Sequence, residues 1–216
     1  MSMAPFTTHA GIAAPLVRIN IDTDAIIPSR EMKRVSREGL GEGMFANWRY
    51  SDVASRTENP DFVLNQGAFR RATILLAGVN FGCGSSREHA VWALKDFGIR
   101  AILAPSFGSI FYGNCILNGI LPIRLDEASI SRLAALHAAQ PEAELGIDLP
   151  AQQIHAADGS QWAFEIPSAD KQMLIEGLDQ IALTLKHGEA IEAFVARDRA
   201  ARPWIYAEPG AQPGGG

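Results

Sequence analysis

The chain has 216 residues, 47% of them hydrophobic and 20% charged, with a net charge of −5, a balance that suits one globular domain with a substantial core. No basic run marks a nucleic-acid surface and no apolar stretch nears the ~20 residues of a membrane helix. The opening MSMAPFTTHAG lacks a secretory pattern, so a cytoplasmic protein is expected. Cys83 and Cys115 are the only two cysteines, too few for a disulfide scaffold or for a cubane iron–sulfur cluster. The five histidines show no zinc-ligand pair, so a metal that the chemistry needs is expected on another chain.

In chain order, residues 6–17 read as short strand pieces. INIDTDAIIPS follows, read as a polar turn running into a brief apolar strand at 26–27 that Pro28 stops. Its paired carboxylates, Asp22 and Asp24, alternatively bind a metal or orient a site. Residues 29–60 are irregular, with a short helix near 30–35 and then Gly39, Gly41 and Gly43. This stretch is both basic (Arg30, Lys33, Arg34, Arg37) and apolar (Leu40, Met44, Phe45, Trp48). It reads either as a lid or as a plain loop.

From 71 to 125 the pattern alternates. Strands at 73–79, 101–104 and 121–125 are separated by helices at 86–97 and 109–117, which predicts a βαβαβ core with a buried parallel sheet. A helix at 128–139 is followed by antiparallel strands at 147–149, 152–156 and 161–166, with Asp158–Gly159 as a hairpin turn. Helices at 168–176, capped by Ser168, and at 189–199 complete an α/β domain over 1–200. Residues 201–216, ending EPGAQPGGG, read as a flexible tail.

The stretch GCGSSRE, where the 73–79 strand turns into a helix, concentrates the chemistry. Three readings compete. In the first, Ser85 caps the helix and Glu88 completes a capping box. In the second, Gly82-x-Gly84 opens a dinucleotide site. Against this, Arg87 stands where a third glycine is needed and no acid ends the next strand. In the third, the turn is a catalytic anion site. Helix-start N–H groups then stabilise charge at Ser85, and Arg87 offers a planar fork to a carboxylate. Cys83 reads as a small packing residue and His89 as structural.

NFGCGSSREHA, with DTDAIIP upstream and APSFGSIFYGNC downstream, closely resembles the small-subunit family of bacterial 3-isopropylmalate dehydratases, which corresponds to the swivelling domain of aconitase. FANWRY, NPDFVLN and GLDQIALTLKH extend the resemblance over about residues 6–195. It implies a three-layer β/β/α swivelling domain. It also implies interconversion of 2-isopropylmalate and 3-isopropylmalate through 2-isopropylmaleate, a step of leucine biosynthesis. The partner is then a large subunit whose [4Fe–4S] cluster binds the leaving hydroxyl, and this chain holds no metal itself. Carried over by motif, Ser85 is the base and Arg87 steadies it and the substrate carboxylate. Ser86 and Gly84 bind substrate, and Arg37, with Arg34 behind it, matches a second substrate arginine. Glu88 and His89 support the helix start and the subunit interface. Leu40, Met44 and Phe45 are candidate contacts for the isopropyl group. A related hydro-lyase acting on methylmalate or a homocitrate-type acid stays open, as does a non-catalytic dinucleotide- or anion-binding module.

Overall fold

The computed structural model describes residues 3–33 and 38–206. A continuous strand β1 (Thr8–Leu16) replaces the expected short pieces and leads to a short helix α1 (Thr23–Ile26). The apolar strand expected at 26–27 is therefore a helix end. The Asp22 carboxylate accepts from the Ala25 N–H at 2.7 Å, the capping bond that starts a helix turn, and Ile26 and Ile27 are fully buried. Short 3-10 turns (Ser29–Lys33, Leu40–Gly43), a helix α2 (Ala46–Arg49) and a hairpin of β2 (Tyr50–Asp52) and β3 (Thr57–Glu58) follow. Two more 3-10 turns (Val63–Asn65, Gly67–Arg71) reach the core strands.

The next elements alternate as the hydrophobic pattern predicts: β4 (Ile74–Ala77), α3 (Glu88–Phe97), β5 (Ala101–Ala104), α4 (Ser109–Asn118) and β6 (Leu121–Arg124). A longer helix α5 (Glu127–Ala139) leads to β7 (Glu144–Asp148), β8 (Gln153–His155) and β9 (Gln161–Ala163). Helices α6 (Ser168–Glu176), α7 (Gln180–Leu185) and α8 (Gly188–Ala201) follow, then a 3-10 turn (Pro203–Ile205). Helix α7 is an addition to the expected elements, and the Asp179 carboxylate caps it by accepting from the Ala182 N–H at 2.8 Å. Past α8, the Arg202 Nε and the Tyr206 hydroxyl both donate to Asp198, at 2.7 and 2.8 Å. The first residues of the expected tail are thus tied down, and 207–216 lie outside the described residues.

Among the described residues the main sheet has seven strands in the order β6-β5-β4-β1-β7-β8-β9. Strand β1 belongs to both halves. Thr8–Ile12 run antiparallel to β7, while Ala13–Leu16 run parallel to β4. At the changeover, a Cβ on Gly11 would sit 2.0 Å from the Thr73 hydroxyl, so only a bare Cα lets Thr73 approach.

Every residue of β4 and β5 is buried, as a parallel sheet covered on both faces requires. One face carries Ile12, Ala14, Leu75 and Ala77 against α3, α4 and the 21–69 region. The other carries Ala13, Ile74, Leu76 and Leu103 against α5, α6 and the antiparallel strands. The layers are thus antiparallel sheet, parallel sheet and helices, the β/β/α arrangement expected.

The 40–48 stretch is not a lid. Leu40 is 2% exposed and Met44 and Phe45 are 0% exposed. Phe45 stacks on Trp48 with ring centroids 5.6 Å apart and planes 6° apart, and leans on Phe62 at 5.8 Å. The Gly41 N–H donates to the Asp96 carboxylate of α3 at 2.8 Å. Burying each large apolar side chain stabilises by roughly 1.5–3 kcal/mol, which outweighs the glycine-rich freedom of the segment. These three side chains are buried in the core and present almost no surface to a ligand.

Candidate active site

The turn from β4 to α3 is clamped from two sides. On one, the Gly82 N–H donates to the Ile21 carbonyl at 2.7 Å and the Thr23 N–H donates to the Cys83 carbonyl at 2.9 Å. On the other, the Phe81 N–H donates to the Ser106 carbonyl at 3.0 Å and the Gly108 N–H donates to the Phe81 carbonyl at 2.9 Å. Gly82 has φ +71°, and a Cβ there would lie 2.1 Å from Phe111 Cγ. No L side chain fits, which accounts for the first glycine of the motif.

The turn delivers Gly84, Ser85 and Ser86 to the surface, all three exposed. Helix α3 opens later than the sequence suggests, at Glu88 rather than at 85 or 86, with Arg87 at the N-cap position in extended backbone and making no side-chain cap bond. The expected capping box does not form, because Ser85 lies two residues outside the helix. The Ser85 carbonyl instead accepts from the Arg87 N–H at 2.7 Å. Glu88 turns away to accept from Asn118 Nδ2 at 2.9 Å and Trp92 Nε1 at 3.2 Å, pinning α3 to α4. His89 packs on the Trp92 ring at 4.7 Å. The Ala90 N–H donates back to the Arg87 carbonyl at 3.2 Å, and the Glu88 and His89 N–H groups at the start of this ten-residue helix add positive potential beside the serines.

Arg87 is paired with the Asp24 carboxylate, and its Nη1 also lies 3.5 Å from the Ser29 hydroxyl. Both contacts engage Nη1. Among the described residues nothing engages the Nε and Nη2 donors, so they present a planar edge for a second carboxylate. Arg87 borders an open groove of about 610 Å³, together with Ser29, Met32, Ser86, Glu88, His89 and Trp92. That is ample for a small dicarboxylic acid. Arg37 and Arg34 lie outside the described residues.

The cysteines are not equipped for chemistry. Both are free thiols. Burial, followed by the Asp22 charge, pushes the Cys83 thiol up, and burial pushes the Cys115 thiol well up, so neither supplies thiolate near neutral pH. Among the described residues no three His, Cys, Asp or Glu side chains converge to hold a metal ion. This donor set does not fit an iron–sulfur cluster.

The DTD segment is the site element whose work the sequence left open. It supplies the cap of α1 through Asp22, a bond to the turn through Thr23, and the partner of Arg87 through Asp24. Two carboxylates flanking a hydroxyl were the available signal, and both carboxylates serve orientation.

The chain matches three family models in sequence. Residues 3–128 match the aconitase C-terminal domain, 131–168 match a model described as LeuD_N, and 181–207 match the C-terminal domain of the 3-isopropylmalate dehydratase small subunit. The last match carries the family pattern past residue 200. A 3-isopropylmalate dehydratase small subunit of Cupriavidus necator is 58% identical over 94% of this chain and 99% of its own length. One of Rhodopseudomonas palustris (strain BisA53) is 52% identical over 94% of this chain and 100% of its own. The crystal structure of 3-isopropylmalate dehydratase (leuD) of Methanocaldococcus jannaschii matches with a TM-score of 0.62 at 29% identity, covering 86% of this chain and 98% of that one. On these grounds the chain belongs to the 3-isopropylmalate dehydratase small-subunit family, whose hydro-lyase chemistry fits a serine-and-arginine turn open to a groove.

Proposed function

We propose that this chain supplies the proton-abstracting face of a site that is completed by a large subunit, acting on 2-isopropylmalate and 3-isopropylmalate. One observation carries the reading: Ser85 and Ser86 stand exposed just ahead of α3, and Ser86 and Arg87 border a groove of about 610 Å³.

Arg87 receives a substrate carboxylate on its Nε and Nη2 edge while Asp24 holds Nη1. Ser85 Oγ, as alkoxide, takes the proton from the carbon next to that carboxylate. The electron pair of the broken C–H bond forms the double bond, and the hydroxyl on the neighbouring carbon departs on the side away from this chain. In the reverse sense the Ser85 hydroxyl returns the proton. A serine alkoxide survives only where N–H donors and positive potential meet it, and the first turn of α3 provides both. Ser86 and Gly84 bind substrate along the same turn. Met32 and Trp92, in place of the buried Leu40, Met44 and Phe45, form the apolar wall against the isopropyl group. The iron–sulfur cluster of the aconitase family is assigned to the large subunit, since this chain has only two cysteines and no three metal-ligating side chains converge among the described residues.

The test is an anaerobic assay with 2-isopropylmalate, comparing this chain, an iron–sulfur large subunit of the same family, and the two together. Turnover only in the mixture supports the reading. Turnover by this chain alone overturns it. Binding of the large subunit without turnover of 2-isopropylmalate, but with turnover of methylmalate or a homocitrate-type acid, overturns the substrate assignment.

A further inference from the structure

Thr23 is a polar side chain sealed in the core, 1% exposed. Ile21, Ile26 and Ile27, two to four positions away along the chain, are each at most 1% exposed. Valine would fill the same volume without a polar atom. Among the described residues the hydroxyl has one partner, the Ser85 carbonyl, to which it donates at 3.0 Å. That carbonyl also accepts the Arg87 N–H at 2.7 Å, and the Thr23 N–H donates to the Cys83 carbonyl at 2.9 Å. Thr23 itself sits in a fixed frame, because Asp22 caps α1 and Ile21 accepts the Gly82 N–H.

The peptide joining Ser85 to Ser86 is planar and trans, so its carbonyl and its N–H point in opposite directions. Pinning the carbonyl inward onto a buried hydroxyl therefore aims the Ser86 N–H outward, to the face where Ser85 and Ser86 are exposed. A buried hydroxyl costs free energy unless it is bonded, and this one is spent on the single peptide that separates the two serines.

We propose that Thr23 is a positioning residue for the reaction: its hydroxyl locks the 85–86 peptide so that the Ser86 N–H faces the reacting groups at Ser85. The inference rests on Ser85 being the base. It predicts a split between substrate binding and turnover, since Thr23 touches neither substrate nor the Arg87 fork. Without the hydroxyl the peptide can rotate, the N–H loses its aim, and the Ser85 alkoxide becomes harder to form.

The experiment measures Thr23→Val, Thr23→Ser and Ser85→Ala, each assembled with the large subunit, by steady-state kinetics across pH. Thr23→Val should lower kcat by roughly 10–100-fold, somewhat less than removal of an oxyanion donor, and leave KM within about twofold, the pattern of a contact that acts in the transition state. The rise of kcat with pH should move to higher pH. Thr23→Ser, which keeps the hydroxyl, should restore kcat. If Thr23→Val does not fold, Thr23→Ala takes its place: kcat far below that of Thr23→Ser supports the proposal, and equal kcat overturns it. A Thr23→Val enzyme with wild-type kcat and pH profile, beside an inactive Ser85→Ala, overturns the role of Thr23 alone. A fully active Ser85→Ala overturns this proposal together with the reading of Ser85.

Discussion

Replacing Phe45 by alanine separates a core role from a lid role. Phe45 is 0% exposed, stacks on Trp48 at 5.6 Å and leans on Phe62 at 5.8 Å. Its backbone has φ +51°, a strain that alanine shares because alanine keeps its Cβ, so truncation brings no backbone relief. Removing a buried phenylalanine side chain costs about 3–5 kcal/mol, combining lost transfer energy with an unfilled cavity. The paired rings place this site toward the upper end. Natural domains hold about 5–15 kcal/mol in all, so the variant retains a minority of its stability at the low end of that range. Urea unfolding of the purified chain measures it, with the midpoint falling and the slope unchanged. The assembled variant, where it folds, should keep the parent's ratio of activities toward 2-isopropylmalate and methylmalate. A stability loss under about 1 kcal/mol, far below a core truncation, together with an altered substrate ratio, would falsify the packing argument and restore the lid.

Ser85→Ala should cut turnover by about 10²–10⁴-fold, the contribution of a positioned acid–base group, while subunit pairing and the melting temperature stay unchanged; wild-type rates would remove Ser85 from the mechanism. Arg87→Lys should lose about tenfold or more in kcat/KM, since a point charge cannot hold Asp24 and a substrate carboxylate on two edges at once; a near-normal value would show that the fork is not used. The pH dependence of stability has a definite sign. Burial, with the Arg100 charge, lowers the His9 pKa below 6.5, and burial lowers that of His137 below 6.5. The unfolded chain therefore binds more protons below pH 6.5, and stability present above that pH is lost as the pH falls toward the folded values. His137→Leu should flatten this acid-side decline in a series of melts from pH 7 to pH 5, and an unchanged slope would show that the ring is not a source of it.

The parallel core was readable because its signal is local. ATILLAGV and RAILAP are short apolar runs bounded by glycine or proline, and each is a strand buried on both faces. Asp158–Gly159 marked its hairpin for the same reason, with Gly159 at φ +84°. The misread segments were decided by contacts far along the chain. Residues 26–27 look like a strand, yet a cap at Asp22 winds them into a helix end. Glu88 looks like half of a capping box, yet Asn118, 30 positions away, takes its carboxylate. Leu40, Met44 and Phe45 sit among glycines and basic residues, which suggests a mobile cover. The apolar faces of α3 and of the 62–69 turns, which bury them, are invisible in that local window. At the site, the motif pointed to the turn and named Ser85 and Arg87 as candidates. The use of Thr23 and Asp24 emerged only when residues 22–24 were laid against 83–87.

The shared strand β1 carries a consequence for synthesis. It leaves the ribosome before its partners: its parallel neighbour β4 begins at Ile74 and its antiparallel neighbour pairs Thr8 with Asp148. One part of the strand can therefore pair once β4 is made, while the part that pairs with β7 waits until most of the chain has been made. Such non-local pairing folds slowly and leaves strand edges open to other chains. His9 near the start of the strand, Arg18 just beyond it, and Pro15 within it, which donates no backbone hydrogen bond, are features that oppose pairing with a wrong neighbour.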